Sequence, residues 1–220
     1  MMRTIQLAVA CVAVLVTSAG QVQAAIITTL FARDNNGANG GAVYFDIDVL
    51  NPAGITIEKI FTNSSATVPG SMDIYTRSGT SSGFQSSLVG WTLVSSGTGT
   101  LAGVDNPSEF NVTDFSLGFG VTGIAIDASS SWEHQYTDGT GSNQFYSNAD
   151  LSLTFGSASN VAFSEPTRSP RVWNGSIEYS ASTAAVPEPS SLAILGIGAG
   201  VVGLVSLRRR RREQKQATAG

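Results

Sequence analysis

The carboxylates are the side chains of this sequence best suited to chemistry, because two of them held about 5 to 10 Å apart can hydrolyse a glycosidic bond. Asp46 and Asp48 have the spacing of one strand face, while Glu133 and Asp138 flank a turn. Nothing in the sequence selects one pair over another. A glycoside hydrolase therefore stays an alternative, and we expect a domain that is not an enzyme.

One loop carries a candidate cation ligand. Asp34 opens the segment Asp-Asn-Asn-Gly-Ala-Asn-Gly-Gly, whose carboxylate and amide oxygens are of the type that Ca²⁺ prefers. The segment lacks the acidic ligand that closes an EF-hand loop. Asp34 is thus a candidate calcium ligand, a plain glycine-rich turn is the alternative, and we expect no other metal or cofactor.

The sequence has a single histidine, His134, which argues against a zinc site and against a serine-hydrolase site. A zinc site needs several nitrogen or sulfur ligands, so we expect His134 to be a structural residue on one strand face with Trp132 and Tyr136. Gly79 to Gly83 matches the serine-hydrolase elbow GxSxG, but that site needs a histidine partner and a following helix. We expect a polar loop there.

Three tryptophans are candidate residues for binding a carbohydrate. Trp91, Trp132 and Trp173 would form a platform for sugar rings if they were exposed. Tryptophan in a β-domain is more often largely buried. A carbohydrate-binding module that contacts exopolysaccharide is therefore an alternative function.

The charge of the central region argues against nucleic acid as a partner. Between Ala25 and Val186 fourteen Asp and Glu face five Lys and Arg, which gives a net charge of minus nine. Phosphate binding requires a basic patch. We therefore expect no nucleic-acid binding.

Short alternating runs separated by Gly, Ser, Asn and Asp dominate this region. In Gly41 to Leu50, Val43 and Phe45 begin one apolar face while Tyr44 and Asp46 begin a polar one, as in a half-buried strand. Similar runs span 55–61, 72–76, 91–95, 115–119, 121–127, 132–137, 151–155 and 172–179. They predict an all-β fold, an antiparallel β-sandwich of about eight to ten strands, with a jelly roll as the alternative topology.

The N-terminus has the pattern of a signal peptide. Arg3 precedes the apolar run Ile5 to Val16, and Val22-Gln23-Ala24 fits a signal-peptidase site that cuts between Ala24 and Ala25. The run is shorter than the roughly 20 residues that span a bilayer. Its removal would also remove Cys11, the only cysteine, so the mature protein would have neither a disulfide nor a reactive thiol.

The C-terminus predicts a membrane-spanning tail. Leu192 to Leu207 is sixteen residues without a charge, and the arginines Arg208, Arg209, Arg210, Arg211 and Arg212 follow. A helix of this length covers about 24 Å, slightly less than a hydrocarbon core of about 30 Å, and arginines can snorkel to make up the difference. They act as a stop-transfer signal that leaves the preceding domain outside. Within this run Gly198 to Gly203 matches the dinucleotide motif GxGxxG, but the strand and acidic residue that the motif needs are missing.

The order of these parts resembles the PEP-CTERM sorting domain. The motif Pro187-Glu188-Pro189 comes first, followed by the apolar run and the arginines. The resemblance implies that exosortase, a membrane protease-transferase, recognises the tail and cuts near the motif, releasing the protein or joining it to the envelope or exopolysaccharide. It implies nothing about the task of the domain before the tail.

A second resemblance, to the β-rich ectodomains that accompany such tails, rests on Asp73 to Gly79, Gly90 to Leu93 and Ser169 to Gly175. No activity comes with it.

The predicted segments are a signal peptide at 1–24, an ectodomain at 25–179, a linker at 180–186, the sorting tail at 187–212 and a polar C-terminus at 213–220. We expect a non-catalytic surface or matrix protein of a biofilm, first anchored in the membrane and then at the cell surface or outside the cell.

Overall fold

The computed structural model describes residues 24–182, which form fourteen β-strands and no α-helix. In chain order the strands are β1 (Ala24–Thr28), β2 (Asn35–Asn36), β3 (Ala42–Val49), β4 (Ile55–Thr62), β5 (Pro69–Ser78), β6 (Thr92–Thr100), β7 (Ser108–Leu117), β8 (Gly120–Ala128), β9 (Gln135–Asp138), β10 (Phe145–Ser147), β11 (Leu151–Ser159), β12 (Thr167–Arg168), β13 (Arg171–Trp173) and β14 (Gly175–Ala181). All strand pairings are antiparallel among these residues. The prediction of an all-β antiparallel fold is confirmed.

The strands form one continuous sheet where we expected two facing ones. Eleven strands are hydrogen-bonded along the path β1-β14-β4-β7-β6-β5-β8-β3-β11-β10, with β12 added on β11. A second sheet has only the three short strands β13, β9 and β2. The larger sheet therefore takes the place of both layers of the expected sandwich.

This sheet curls around a single core. Alternate residues of nearly every long strand enter one apolar cluster, as the period of a strand requires. On β3 the predicted apolar face is confirmed, because Val43, Phe45, Ile47 and Val49 are all buried in the cluster. The ring of Phe45 lies 5.0 Å from that of Phe155 on β11 and 5.5 Å from that of Trp173.

The two ends of the strand path approach each other, so the sheet is a nearly closed cylinder. The hydroxyl of Tyr179 on β14 donates to Oδ2 of Asp150 at 3.1 Å and accepts from Nδ2 of Asn148 at 2.8 Å. Asn148 and Asp150 lie in the turn between β10 and β11, at the other end of the path. One tyrosine thus bridges the gap that hydrogen bonds between strands leave open.

The two ends of the cylinder differ. At one end, the capped end, the small sheet docks through the bond from Gln135 N to Asn63 O, at 2.9 Å. At the other, the tether end, the first residue of β1 pairs with Ser180, and Ser182 N donates to Gly54 O at 3.0 Å. Both limits of the described chain therefore lie at the tether end.

Several strand bounds differ from those predicted. The final strand reaches Ala181, past the expected domain end at Tyr179, because Ser180 and Ala181 still pair with Thr56 and Ile55 of β4. The run 172–179 is broken at Asn174, and β7 begins seven residues before the predicted run. The compact unit that contains the strands ends at Ser182.

The predicted signal peptide before Ala24 and the predicted membrane-spanning run Leu192 to Leu207 lie outside the described residues. Within residues 24–182, no helix has the length and apolar character needed to cross a membrane.

Candidate functional site

A polar groove runs along the outer face of β5, β6, β7 and β8. On β5 the inward Met72 and Ile74 belong to the core, so Ser71 and Asp73 point outward. Register places Ser96 opposite Asp73 and Thr98 opposite Ser71. The outer row of hydroxyl and carboxyl groups therefore continues from one strand to the next.

Glycines on β6 bring this surface close to its neighbour. An ideal Cβ on Gly97 would lie 2.6 Å from Cγ1 of Val112, and one on Gly99 would overlap the carbonyl oxygen of Glu109. β6 thus alternates inward glycine with outward Ser96, Thr98 and Thr100. The small inward residues let β6 lie close against β7 while its outer side stays polar.

The groove consists of two shallow depressions that share Ser71 and Thr98. One has a volume of about 410 Å³ and extends over β7, and the other, about 440 Å³, extends toward Ser129 and Ser131. The residues that line the first are Ser71, Met72, Asp73, Ser96, Gly97, Thr98, Asn111, Val112 and Thr113. Hydroxyl, amide and carboxyl groups of this kind are complementary to the hydroxyls of a sugar chain.

Two carboxylates face each other where the groove meets β8. Asp73 lies directly opposite Asp127, and a small recess of about 70 Å³ opens beside them. Burial, together with the negative charge of Asp73, raises the pKa of Asp127 to about 6. Ser96 donates to Oδ1 of Asp73 at 2.6 Å. The pair offers hydrogen-bond acceptors at every pH at which Asp73 is ionised, and below about pH 6 Asp127 also carries a proton that it can donate.

An aromatic cluster borders the groove on the same face. Tyr44, Tyr75, Trp91 and Phe163 pack together, with the rings of Tyr75 and Phe163 4.9 Å apart. The hydroxyl of Tyr44 contacts Ser159 and accepts from the amide of Phe163 at 2.7 Å. The polar face of β3, which we predicted to be exposed to solvent, is therefore buried at Tyr44.

The tryptophan platform is not present in the structure. Trp91, Trp132 and Trp173 are 8%, 0% and 1% exposed. Their indole N–H groups donate inside the protein, to Phe84 O, Ser71 O and Thr62 Oγ1 respectively. Because a sugar must reach a ring face to stack on it, none of the three can serve as the expected platform. Trp132 instead supports the groove from below, under Gly70.

Three of the four carboxylates of the predicted catalytic pairs are engaged in contacts within the protein. Asp46 accepts from Thr80 Oγ1 at 2.6 Å and from Ser81 N at 2.7 Å. Asp138 forms a salt bridge with Arg171 at 2.8 Å. These contacts hold loops in place, which gives each of the two carboxylates a structural role.

Glu133 is buried in a polar network at the capped end. Both the amide and the hydroxyl of Ser65 donate to its Oε1, at 3.0 and 2.5 Å, and Gln135 donates at 2.7 Å. Burial raises the pKa of Glu133, but these hydrogen bonds outweigh burial and leave the pKa below its ordinary value. All three of these hydrogen bonds end on the same carboxylate oxygen, Oε1.

Asp34, the candidate calcium ligand, binds the backbone. Its Oδ1 accepts from the amide of Asp138 at 2.7 Å, and Asn35 donates to the Asp138 carboxylate at 3.0 Å. In the part of the chain that the structure describes, no three His, Cys, Asp or Glu side chains are grouped so as to hold a metal ion. The Asp34 carboxylate thus ties the start of β2 to the last residue of β9.

His134 is enclosed in the core, 2% exposed, with its ring 4.6 Å from that of Trp132. Its Nε2 lies 3.1 Å from the carbonyl oxygen of Ile126, and its Nδ1 lies 3.3 Å from Thr62 Oγ1. Burial lowers the pKa of His134 to about 4. The GxSxG serine, Ser81, is buried in the loop over Asp46, so neither residue forms part of a hydrolase triad.

Sequence reasoning missed the pairing of Asp73 with Asp127. Each residue is outward on its strand, and that parity was visible in the sequence. The contact depends on β5 pairing with β8 across the intervening β6 and β7. No local signal in the sequence specifies that pairing.

Comparison with known proteins identifies one segment. The family description "PEP-CTERM protein-sorting motif" matches residues 185–212. No curated protein and no solved structure matches the chain. The matched segment contains Pro187, Glu188, Pro189 and the five arginines, all of which lie outside the described residues.

Proposed function

We propose that this chain, which carries a PEP-CTERM protein-sorting motif as expected of an exported exosortase substrate, is a non-catalytic protein of the cell surface or extracellular matrix. The observation that carries the proposal is the position of the motif. It begins at residue 185, three residues after the compact unit ends at Ser182.

Processing at both ends would leave the folded domain whole. A signal-peptidase cut after Ala24 makes Ala25, opposite Tyr179 on β14, the first residue of β1. An exosortase cut near Pro187 to Pro189 falls after the last described hydrogen bond, which Ser182 makes to Gly54. Neither cut removes a residue of the core, so the product would keep the complete cylinder.

Intact-mass analysis of the protein from cells with and without a working exosortase tests this proposal. We expect a product that lacks residues 1–24 and the arginine end only when exosortase is present. Glu188→Gln should reduce processing, whereas Glu178→Gln, a glutamate on β14, is the matched control and should not. Recovery of the full tail from cells with active exosortase would contradict the proposal.

The outer-face groove favours a more specific candidate function, binding of a matrix polysaccharide. Its outward groups are hydroxyls, an amide and carboxylates on four adjacent strands, which can each bond to sugar hydroxyls. The half-buried Tyr75, next to the groove, offers an apolar edge. Because the tryptophans are buried, the groove replaces them as the site of the carbohydrate-binding hypothesis.

A glycan array probed with residues 25–182, with and without calcium, tests this second function. We expect binding that Asp73→Asn and Thr98→Val weaken and that Asp48→Asn, on β3 outside the groove, leaves unchanged. Measurement of reducing ends released from each bound glycan checks for hydrolysis, and a non-catalytic domain should release none. If no glycan binds in either condition, the groove is not a carbohydrate site.

A further inference from the structure

The tether end is the end from which the chain continues toward the sorting motif. Ala24 pairs with Ser180, and Asn51 Nδ2 donates to the carbonyl of Ser182 at 3.4 Å. Only nine residues, 183–191, separate Ser182 from the uncharged run that begins at Leu192. Even fully extended, nine residues span at most about 30 Å.

This same end carries exposed apolar side chains. Twelve large hydrophobic side chains are exposed within residues 24–182, and three of them belong to turns and strand ends at the tether end. We call these three residues the tether rim: Leu50, Phe119 and Val121. Phe119 is 70% exposed, Val121 is 46% exposed and Leu50 is 42% exposed.

Strand register places the rim residues together at this end. Val49 pairs with Gly120, so Leu50 and Phe119 occupy adjacent turns. Val121 follows Gly120 on β8, and its carbonyl oxygen accepts from Gly79 N, just after the end of β5, at 3.2 Å. The loop after Gly79 lies outside the rim, because it folds back over the outer face, where Ser81 N donates to Asp46 and the ring of Trp91 lies 5.6 Å from that of Phe163.

We propose that the tether rim rests on the surface of a lipid bilayer while the tail is uncleaved. This inference rests on the proposed function, because the sorting tail brings the membrane within reach. Exposed apolar side chains at the end nearest a membrane anchor gain free energy by entering the interfacial region, where aromatic side chains such as Phe119 are well accommodated.

The charge around the rim selects the type of lipid. Asp48 pairs with Val121 across β3 and β8, and Asp150 lies in the turn next to Leu50. Among the described residues, the cation near this end is Arg77. Its guanidinium lies 3.2 Å from the ring centre of Phe84. The rim therefore suits neutral headgroups such as phosphatidylcholine better than anionic ones.

The contact depends on the tether. A few exposed side chains bind a bilayer weakly, but an anchor within 30 Å or so makes the encounter intramolecular and raises the effective concentration to about millimolar. Loss of the tail removes that advantage. The domain is then expected to leave the membrane after exosortase has acted.

A single fluorescent label tests the proposal, because residues 25–220 contain no cysteine. Phe119→Cys in residues 25–191, ending in a histidine tag, is labelled with an environment-sensitive dye and held on phosphatidylcholine vesicles that contain nickel-chelating lipid. Val161→Cys is the matched control, because Val161 is 63% exposed and lies at the capped end, after β11. Both positions are on the surface, so both variants should fold around the intact core.

We expect the dye at position 119, but not at position 161, to shift to the blue and to be quenched by spin-labelled lipid. Imidazole, which releases the tag, should reverse both effects. Equal responses at the two positions, or no response at either, would overturn the proposal. So would a shift at position 119 that needs no vesicles and grows with protein concentration, because a second copy would then cover the rim.

The artificial tag makes this test independent of the natural tail. Failure of sorting in cells, seen by intact mass, would remove the proposed function without altering the vesicle result. Failure of the vesicle test would leave the sorting of the protein intact.

Discussion

Asp73 on β5 lies directly opposite Asp127 on β8, and neither carboxylate forms a salt bridge within residues 24–182. Like charges at directly opposed positions of an antiparallel pair are destabilising. Burial and the charge of Asp73 raise the pKa of Asp127 from 3.8 to about 6. Between about pH 4 and pH 6 the folded state therefore holds a proton that the unfolded chain has already lost.

Asp127→Asn is expected to stabilise the domain at neutral pH. Because the pKa is higher in the folded state, this pair makes the free energy of unfolding fall as pH rises from about 4 to about 6. The amide removes that dependence and should add about 1 kcal/mol at pH 7.5, after allowance for solvent screening of a partly exposed group. Urea unfolding of residues 25–182 at several pH values measures the difference. If the free energies of unfolding of the two proteins change with pH in parallel, the repulsion is contradicted. Glu58→Gln, which removes a different carboxylate, is the control and should leave the pH dependence that Asp127 causes in place.

His134 should make the domain sensitive to acid. Its pKa is lowered from 6.5 to about 4 by burial, so unfolding takes up a proton below pH 6.5, and the free energy of unfolding falls as pH decreases toward 4. The full loss is about 3 kcal/mol. This slope is opposite to that of Asp127 and is best measured in the Asp127→Asn protein.

The imidazole can also be followed directly. We expect NMR to show a neutral ring with its proton on Nε2, which faces the Ile126 carbonyl, and no titration between pH 5.5 and 7.5, about the range of an ordinary histidine. A midpoint near 6.5 would mean that the ring is accessible to water and that the core opens there.

Tyr179→Phe is expected to weaken closure of the sheet. The change removes the bond to Asp150 and leaves Asn148 without its acceptor, at a cost of about 1 to 2 kcal/mol. Tyr146→Phe is the control, because Tyr146 is a half-buried tyrosine on β10 whose hydroxyl has no hydrogen bond in the described part of the chain. Urea unfolding compares the two variants, and equal losses of stability would argue against a role for the bridge.

Gly99→Ala should destabilise the floor of the groove. The added methyl would overlap the carbonyl oxygen of Glu109 on the neighbouring strand, and such crowding costs about 1 to 3 kcal/mol. Gly118→Ala is the matched control, because a Cβ there meets no atom within 4 Å. If thermal unfolding shows the two alanines to be equally tolerated, β6 and β7 do not approach as closely as the structure indicates.

Much of the local structure could be predicted from the sequence. Alternation in Gly41 to Leu50 identified the strand and its buried face, because side-chain direction along a strand is set by the strand itself. Strands that lack clean alternation were missed or shortened, as with β6, where glycine occupies the inward positions of Ser95 to Thr100. The sorting motif was likewise readable, because its three parts are adjacent in the chain.

The candidate site could not be predicted in the same way. Trp91, Trp132 and Trp173 were visible as residues, but their exposure depends on which loops and strands cover them. The sequence does not distinguish Asp46 and Asp138 from Asp73 and Asp127. Only the structure ties the first two to loop donors or to Arg171 and sets Asp73 opposite Asp127. Solvent access and electrostatic partners are properties of the assembled fold.

The sequence by itself therefore determined the strand-forming character of residues 24–182, their acidic charge and the sorting motif at 185–212, because each depends on residues close together in the chain. Only the tertiary structure decided that one sheet encloses the core, that Asp73 meets Asp127 and that the rim around Phe119 lies at the end where the chain departs. The physical reason is that hydrogen bonding between strands joins segments far apart in the chain. The register of that pairing depends on burial across the whole domain.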